Sequence, residues 1–279
     1  MSRLPIALAR ALPFVLLALI LGACASSKPK VMSEKQYYDS AQKSMHSGNF
    51  TKAAEDLEAL ESHYPVGAYT EQAQLELIYA NFRHVDYAGA SAAADRFIRL
   101  HPNHPQLDYA YYMRGLSDFE ADRDFFTRYL PVKGYARDMD SMQDSFVNFR
   151  ELVTRFPDSE YAPDARARLI WIRNQFAEAQ MHVARFYARK KAWVSCLNRA
   201  RDVVENFPGA PTVPDALALE VLAYSKLSMP DLAEQQRALL KASYPDYKGE
   251  DELTKAVIDN DTRSWLNIVT FGLLGKSGR

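Results

Sequence analysis

Apolar positions recur along this chain at spacings of four and three, in a register set by five prolines. The prolines stand in the pairs Tyr64-Pro65, His101-Pro102, Phe156-Pro157, Phe207-Pro208 and Tyr244-Pro245. Twelve residues before each proline lies a small residue: Ala53, Ala90, Ser145, Cys196 or Ala233. Five before lies a large apolar one: Leu60, Phe97, Leu152, Val203 or Leu240. Eight before lie Leu57, Ala94, Phe149, Ala200 and, as the exception, Arg237. These offsets share one face of a helix, and the proline ends that helix and opens the turn to the next. A small residue lets two helices approach closely, so each marked helix is expected to lie against the one before it.

Helix pairs of this kind stack into a solenoid. The first unit, Gly48-x-Phe50-x₂-Ala53-x₃-Leu57-x₂-Leu60-x₄-Pro65, has the spacing of the second half of a tetratricopeptide (TPR) repeat. The prolines are 37, 55, 51 and 37 residues apart, against about 34 for a TPR unit, so two steps hold extra chain. In one, residues 119–140 read as a long loop broken by Pro131 and Gly134. In the other, residues 163–189 contain neither Pro nor Gly and keep Leu169, Ile172, Phe176, Ala179, Val183 and Phe186 at helical spacing. That predicts one unusually long helix or two nearly collinear ones. No stretch alternates as a strand, so the fold predicted is all-α, an α-solenoid of about five TPR-like helix pairs. Residues 36–120 form its N-terminal repeats and 121–245 its C-terminal repeats.

Both ends depart from this pattern. Arg3 and Arg10 precede an apolar run from Ala11 to Leu21, too short for a membrane span and of the length of a signal-peptide core. Leu21-Gly22-Ala23-Cys24 then has the form of a bacterial lipobox, which predicts cleavage after residue 23 and a diacylglyceryl group on Cys24. Ala25, in place of Asp, fits outer-membrane sorting. Residues 24–35 read as a flexible polar tether. The extension 246–279 is polar up to residue 264 and ends in the apolar run Trp265–Leu274. It fits a cap over the last helix pair, or a segment docking on a partner or membrane surface.

Composition narrows the chemistry. Charged residues make up 25% and nearly cancel, to a net charge of −1, which disfavours a nucleic-acid partner. With Cys24 acylated, Cys196 has no cysteine to pair with, and its small-slot position reads as packing. His101 and His104, in HPNHP, lack further ligands in a metal-binding spacing, and HExxH, GxSxG and dinucleotide fingerprints are absent. GLLGKS at 272–277 lacks the first glycine of a phosphate loop. No catalytic residue, metal or cofactor is expected beyond the lipid on Cys24. The surplus is in tyrosine, 16 residues, dense at Tyr37, Tyr38, Tyr64, Tyr69, Tyr79 and Tyr87 and again at Tyr109, Tyr111 and Tyr112. Some belong to the core. Others suit a groove, because Tyr gives contact area to a peptide at low entropic cost.

Three segments carry a family resemblance: HYPVGAYTEQAQLELIYANFR (63–83), AADRFIRLHPNHPQLDYAYYMRGL (93–116) and AWVSCLNRARDVVENFP (192–208). With the lipobox and the five repeats in order, residues 24–245 resemble the BamD (ComL) family of lipoproteins in the outer-membrane β-barrel assembly machinery. Val66 and the long tail after Pro245 depart from it. The resemblance implies a non-enzymatic scaffold on the inner leaflet of the outer membrane, facing the periplasm. Its N-terminal repeats would receive the C-terminal aromatic signal of unfolded outer-membrane proteins, with Tyr64, Tyr69, Tyr79 and Phe82 as candidates. Its C-terminal repeats, with Asn198 and Arg199, would hold the POTRA region of BamA, and other lipoproteins of the complex would attach along it. Two other readings fit a helical lipoprotein: an adaptor recruiting peptidoglycan enzymes or proteases, and a wall hydrolase on a helical scaffold.

Overall fold

The structure, a computed structural model, describes residues 31–121 and 140–249. Cys24, most of the expected loop and the tail after residue 249 lie outside the described residues. Among those described there are ten helices and no strand: α1 (Glu34–His46), α2 (Phe50–His63), α3 (Thr70–Arg83), α4 (Tyr87–Leu100), α5 (Leu107–Ala121), α6 (Asp140–Arg155), α7 (Ala162–Arg189), α8 (Trp193–Asn206), α9 (Val213–Lys226) and α10 (Pro230–Ser243). Each packs on its neighbours in sequence, and α3 also touches α5, as α7 touches α9. This is the expected TPR-like solenoid of five pairs, each pair an odd-numbered helix followed by an even-numbered one.

The proline register is the register of the core. Every residue at the −12 and −5 positions is buried, as are Leu57, Ala94, Phe149 and Ala200 at −8. The residue before each proline is held out of the helical region, as its ring requires: Tyr64 has φ −132° and ψ 67°, Tyr244 φ −136° and ψ 67°. Its N–H still donates to the carbonyl of the −5 residue, as from Tyr64 to Leu60 at 2.8 Å and from Phe156 to Leu152 at 2.8 Å. The small slot does what its size suggests. Ser145 on α6 donates its hydroxyl to the carbonyl of Gly115 on α5 at 2.9 Å. A Cβ on Gly115 would come within 2.9 Å of the Phe149 ring, so the two helices meet only because one residue lacks it.

Arg237, the exception in the −8 series, has a structural reason. In α2, α6 and α8 the residues at −11, −8 and −4 sit towards the next odd-numbered helix and are largely apolar: Ala54 and Leu57; Phe146, Phe149 and Val153; Leu197, Ala200 and Val204. On α10 the same positions hold Glu234, Arg237 and Lys241. Arg237 pairs with Glu234 at 2.9 Å. A polar face here ends the stack.

Two boundaries differ from the sequence reading, and one alternative is decided. The tether does not reach residue 35, because Ser33 and Gln36 form a reciprocal capping box that starts α1 at Glu34. The stretch expected as a loop, 119–140, is helical at both ends: residues 119–121 complete α5 and Asp140 opens α6. Phe119 is buried against Phe149 and Trp171, which holds that last turn helical. Of the two arrangements expected for residues 163–189, the single long helix is the one observed. The first half of α7 packs Ala165 and Ile172 into a cluster with α5 and α6, and the second half packs Ala177, Met181 and Ala184 into one with α8 and α9. A TPR helix of 14 residues would serve both neighbours at one level. With 28 residues, α7 offsets the last two pairs from the first three by about 21 Å along its axis.

Candidate binding face

The odd-numbered helices present a run of aromatic rings. On α3, Tyr69, Gln72, Glu76, Tyr79 and Arg83 follow one another at spacings of three and four and form its solvent-facing stripe. Glu76 is the polar centre of the α1–α3 contact. It accepts hydrogen bonds from Tyr38 (3.0 Å), Gln42 and Gln72 (2.9 Å). The Tyr38 ring stacks on Tyr69 with centroids 4.8 Å apart. Partial burial, together with the Glu76 carboxylate, pushes the Tyr38 phenol up to about 12. Further along, Tyr112 of α5 stacks on Tyr161, at the start of α7, with centroids 4.8 Å apart and planes 18° apart. Tyr109 tilts against the same ring at 5.9 Å. The Tyr112 hydroxyl donates to Asp164 at 2.9 Å, and burial followed by that carboxylate pushes its phenol up to about 12. Burial also raises Tyr109 and Tyr161. These phenols therefore remain neutral hydrogen-bond donors at any physiological pH.

The face also holds a cation without an acid. The Arg83 guanidinium lies 4.4 Å from the centroid of the Phe50 ring and 5.4 Å from that of Tyr79, and donates to the Tyr79 hydroxyl. Among the described residues no carboxylate pairs with it. Two rings hold its planar fork in place, which suits it to a partner's carboxylate.

The four residues expected to contact a client differ in their freedom. Tyr79 is exposed on the stripe of α3 and meets Phe50 edge-on at 5.9 Å. Tyr69, at the head of the same stripe, is half-buried: it packs on the core cluster and stacks on Tyr38. Tyr64 is committed to the fold: its hydroxyl donates to the Met32 carbonyl at 3.0 Å and its own carbonyl accepts from Thr70 at 2.7 Å. Phe82 packs on the core cluster and tilts against Tyr87 at 5.4 Å. Sequence reasoning counted Tyr38 within the tyrosine-dense stretch without singling it out, and passed over Glu76, Arg83 and Tyr161. The spacing from Tyr69 to Arg83 was available as a signal, but which stripe of an apolar-rich helix faces outward is set by its neighbours.

Asn198 and Arg199 are both exposed on α8, away from these rings. Arg199 donates to Gln180 of α7 at 2.9 Å and flanks the buried face of Cys196, Ala200 and Val203. Burial pushes the Cys196 thiol up to about 12, so it behaves as a small apolar residue. His101 and His104 approach Glu71 at 3.6 and 3.9 Å, but His101 also bonds Gln74 and both rings pack on Phe97. Among the described residues no group of three or more His, Cys, Asp or Glu side chains is arranged to hold a metal. No described helix is long and apolar enough to cross a membrane. The face offers rings, neutral phenols and the Arg83 guanidinium, which equips it for contact.

Comparison with known proteins places the chain in a family. The YfiO family, described as an outer membrane lipoprotein, matches residues 30–239. The outer membrane protein assembly factor BamD of Vibrio cholerae is 37% identical over 229 residues, which cover 81% of this chain and 95% of that protein. BamD of Neisseria meningitidis serogroup B is 36% identical over 239 residues, covering 83% and 90%. BamD of Xylella fastidiosa is 35% identical over 216 residues, covering 77% and 74%. On the family match and these relatives, the chain belongs to the YfiO family of outer membrane lipoproteins.

Proposed function

We propose that this protein is a non-enzymatic scaffold for outer-membrane protein assembly, lipid-anchored through Cys24 to the inner leaflet of the outer membrane and facing the periplasm. Its odd-helix face receives an extended segment of an unfolded β-barrel client. The observation that carries this reading is the row of half-exposed rings from Tyr38 and Tyr69 to Tyr109 and Tyr112, with Arg83, which pairs with no carboxylate among the described residues, at one end. Rings accept aromatic side chains of many sequences, and a stacked guanidinium accepts a terminal carboxylate through two parallel bonds. The relatives' name as assembly factors supports the same role. The C-terminal repeats, through the exposed pair Asn198 and Arg199, hold the POTRA region of BamA, and other lipoproteins of the assembly complex bind along the solenoid.

The test is photocrosslinking from Tyr79 and from Tyr112 in the full chain to a client peptide ending in an aromatic residue and a free carboxylate. The peptide is expected to crosslink at both positions. Amidation of its C-terminus should weaken binding about tenfold, the loss expected for one charge-assisted contact. Crosslinks confined to residues beyond 190 would reject the assignment of the face.

A further inference from the structure

The last helix carries an apolar stripe that the other even-numbered helices lack. At 13 and 6 residues before the proline, α2 has Lys52 and Ala59, α4 Gly89 and Arg96, α6 Asp144 and Glu151, and α8 Ser195 and Asp202. α10 has Leu232 and Leu239. Both are exposed, 41% and 46%, and Met229, one turn earlier, is exposed at 46%. Gln236 lies between the leucines on the same stripe. Its side-chain carbonyl oxygen is buried and has no hydrogen-bond partner. An apolar strip of this kind, Met229, Leu232 and Leu239 along one side of the last helix, is surface that a covering segment would take out of water. The strip is distinct from the polar face of Glu234, Arg237 and Lys241 that ends the stack.

We propose that this stripe is the seat of the chain's own C-terminal apolar segment, residues 265–274, which closes over the flank of α10. The chain after α10 is pinned beside it: the Tyr247 hydroxyl donates to Asp215 at 2.7 Å, and the Tyr247 ring packs with the α7–α9 cluster. From residue 250 to Trp265 the chain can span up to about 50 Å, whereas Leu232 and Leu239 are only about 10 Å apart along the helix. Trp265, Leu266, Ile268, Val269, Phe271, Leu273 and Leu274 supply apolar surface to match the strip. Tethering favours this occupant over a second copy, because a short linker gives a local concentration of about millimolar.

A photoreactive residue placed at Leu239 in the full chain tests this directly. Crosslinks should map to residues 262–276 of the same molecule and be unchanged on dilution. Deleting residues 250–279 should speed hydrogen exchange of the α10 amides about tenfold and leave α1–α5 unchanged. The surface pair Leu232→Ser and Leu239→Ser, which leaves the buried Ala233 and Leu240 in place, should reproduce that increase and expose the tail to protease. Crosslinks to a second copy, to another protein or to lipid, or an α10 exchange rate indifferent to the deletion, would overturn the proposal.

Discussion

Helices α3 and α9 occupy equivalent places in the solenoid, each 14 residues long and each following its proline by the same interval. Position for position, the exposed stripe Tyr69, Gln72, Glu76, Tyr79 and Arg83 of α3 becomes Thr212, Asp215, Leu219, Leu222 and Lys226 in α9. Leu219 and Leu222 are buried. The second half of α7 contributes Met181, Ala184, Ala188 and Tyr187 to the cluster that encloses them, and Tyr247 folds back over the start of α9. The same repeat thus yields an open face where the odd-numbered helices leave a stripe uncovered, and solid core where a longer neighbour covers it. In a stack of near-identical units, the length of one helix decides which unit keeps an open face.

The strongest way to break that comparison is to exchange the stripes. Leu219→Glu places in α9 the residue that α3 carries at Glu76, but in a site that is 0% exposed. It should cost about 3–5 kcal/mol and melt the C-terminal repeats first, as seen by hydrogen exchange. The reverse change, Glu76→Leu, removes an acceptor from a half-exposed cluster and should cost about 1 kcal/mol. Equal costs would mean that α9 is as open as α3.

A second prediction uses Glu220, which stands where α3 has Leu77. Both are buried, at 3% and 1%. Burial raises the Glu220 carboxyl to about 7, against the pull of nearby Arg201. The folded state therefore keeps a proton that the unfolded chain releases near its ordinary value of 4.5. Stability should fall as pH rises from about 4.5 to 7 and stay low above that. Glu220→Gln should raise stability by roughly 3 kcal/mol at pH 8 and change little at pH 4.5, in urea denaturation at both pH values. A gain that does not depend on pH would show that burial does not govern this carboxyl.

The turns from odd to even helices offer a finer contrast. Four of them place a residue in the left-handed region: Gly48, Val85, Lys191 and Ser228, with φ between 59° and 77°. Only the first uses glycine. Val85 is β-branched and exposed, so no packing compensates its strain. Val85→Gly should stabilise the N-terminal repeats by about 1 kcal/mol, read as a rise in the midpoint of thermal unfolding. A fall in that midpoint would show that the valine side chain has a packing role.

The smallest effects on stability should separate the two proposed contacts. Tyr79→Ala removes a 37%-exposed ring and should alter folding by under about 1 kcal/mol while weakening the client peptide. Arg199→Glu should leave the peptide unaffected and weaken the POTRA contact by about 1 kcal/mol, measured by calorimetry on the folded mutant. If either change weakened both partners equally, the two regions would not be separate surfaces.

The sequence by itself determined the helices, their pairing and the core. Proline fixes φ and removes a donor, and helical periodicity places −12, −8 and −5 on one face, so Ala53, Phe149 and Val203 could be assigned to the interior without coordinates. It did not place the start of α1 correctly, because a capping box reads as polar chain until a helix is seen to follow it. Of the four expected client residues, Tyr79 lies exposed and Tyr69 half-buried beside it, whereas Tyr64 and Phe82 are engaged by the fold. Those distinctions belong to tertiary structure. A tyrosine at helical spacing carries the same local signal whether its hydroxyl reaches solvent or Met32, and a leucine at a repeat position carries the same signal whether or not a 28-residue neighbour covers it. Periodicity reports which residues share a face, and only the packing of the other helices decides which face is left open.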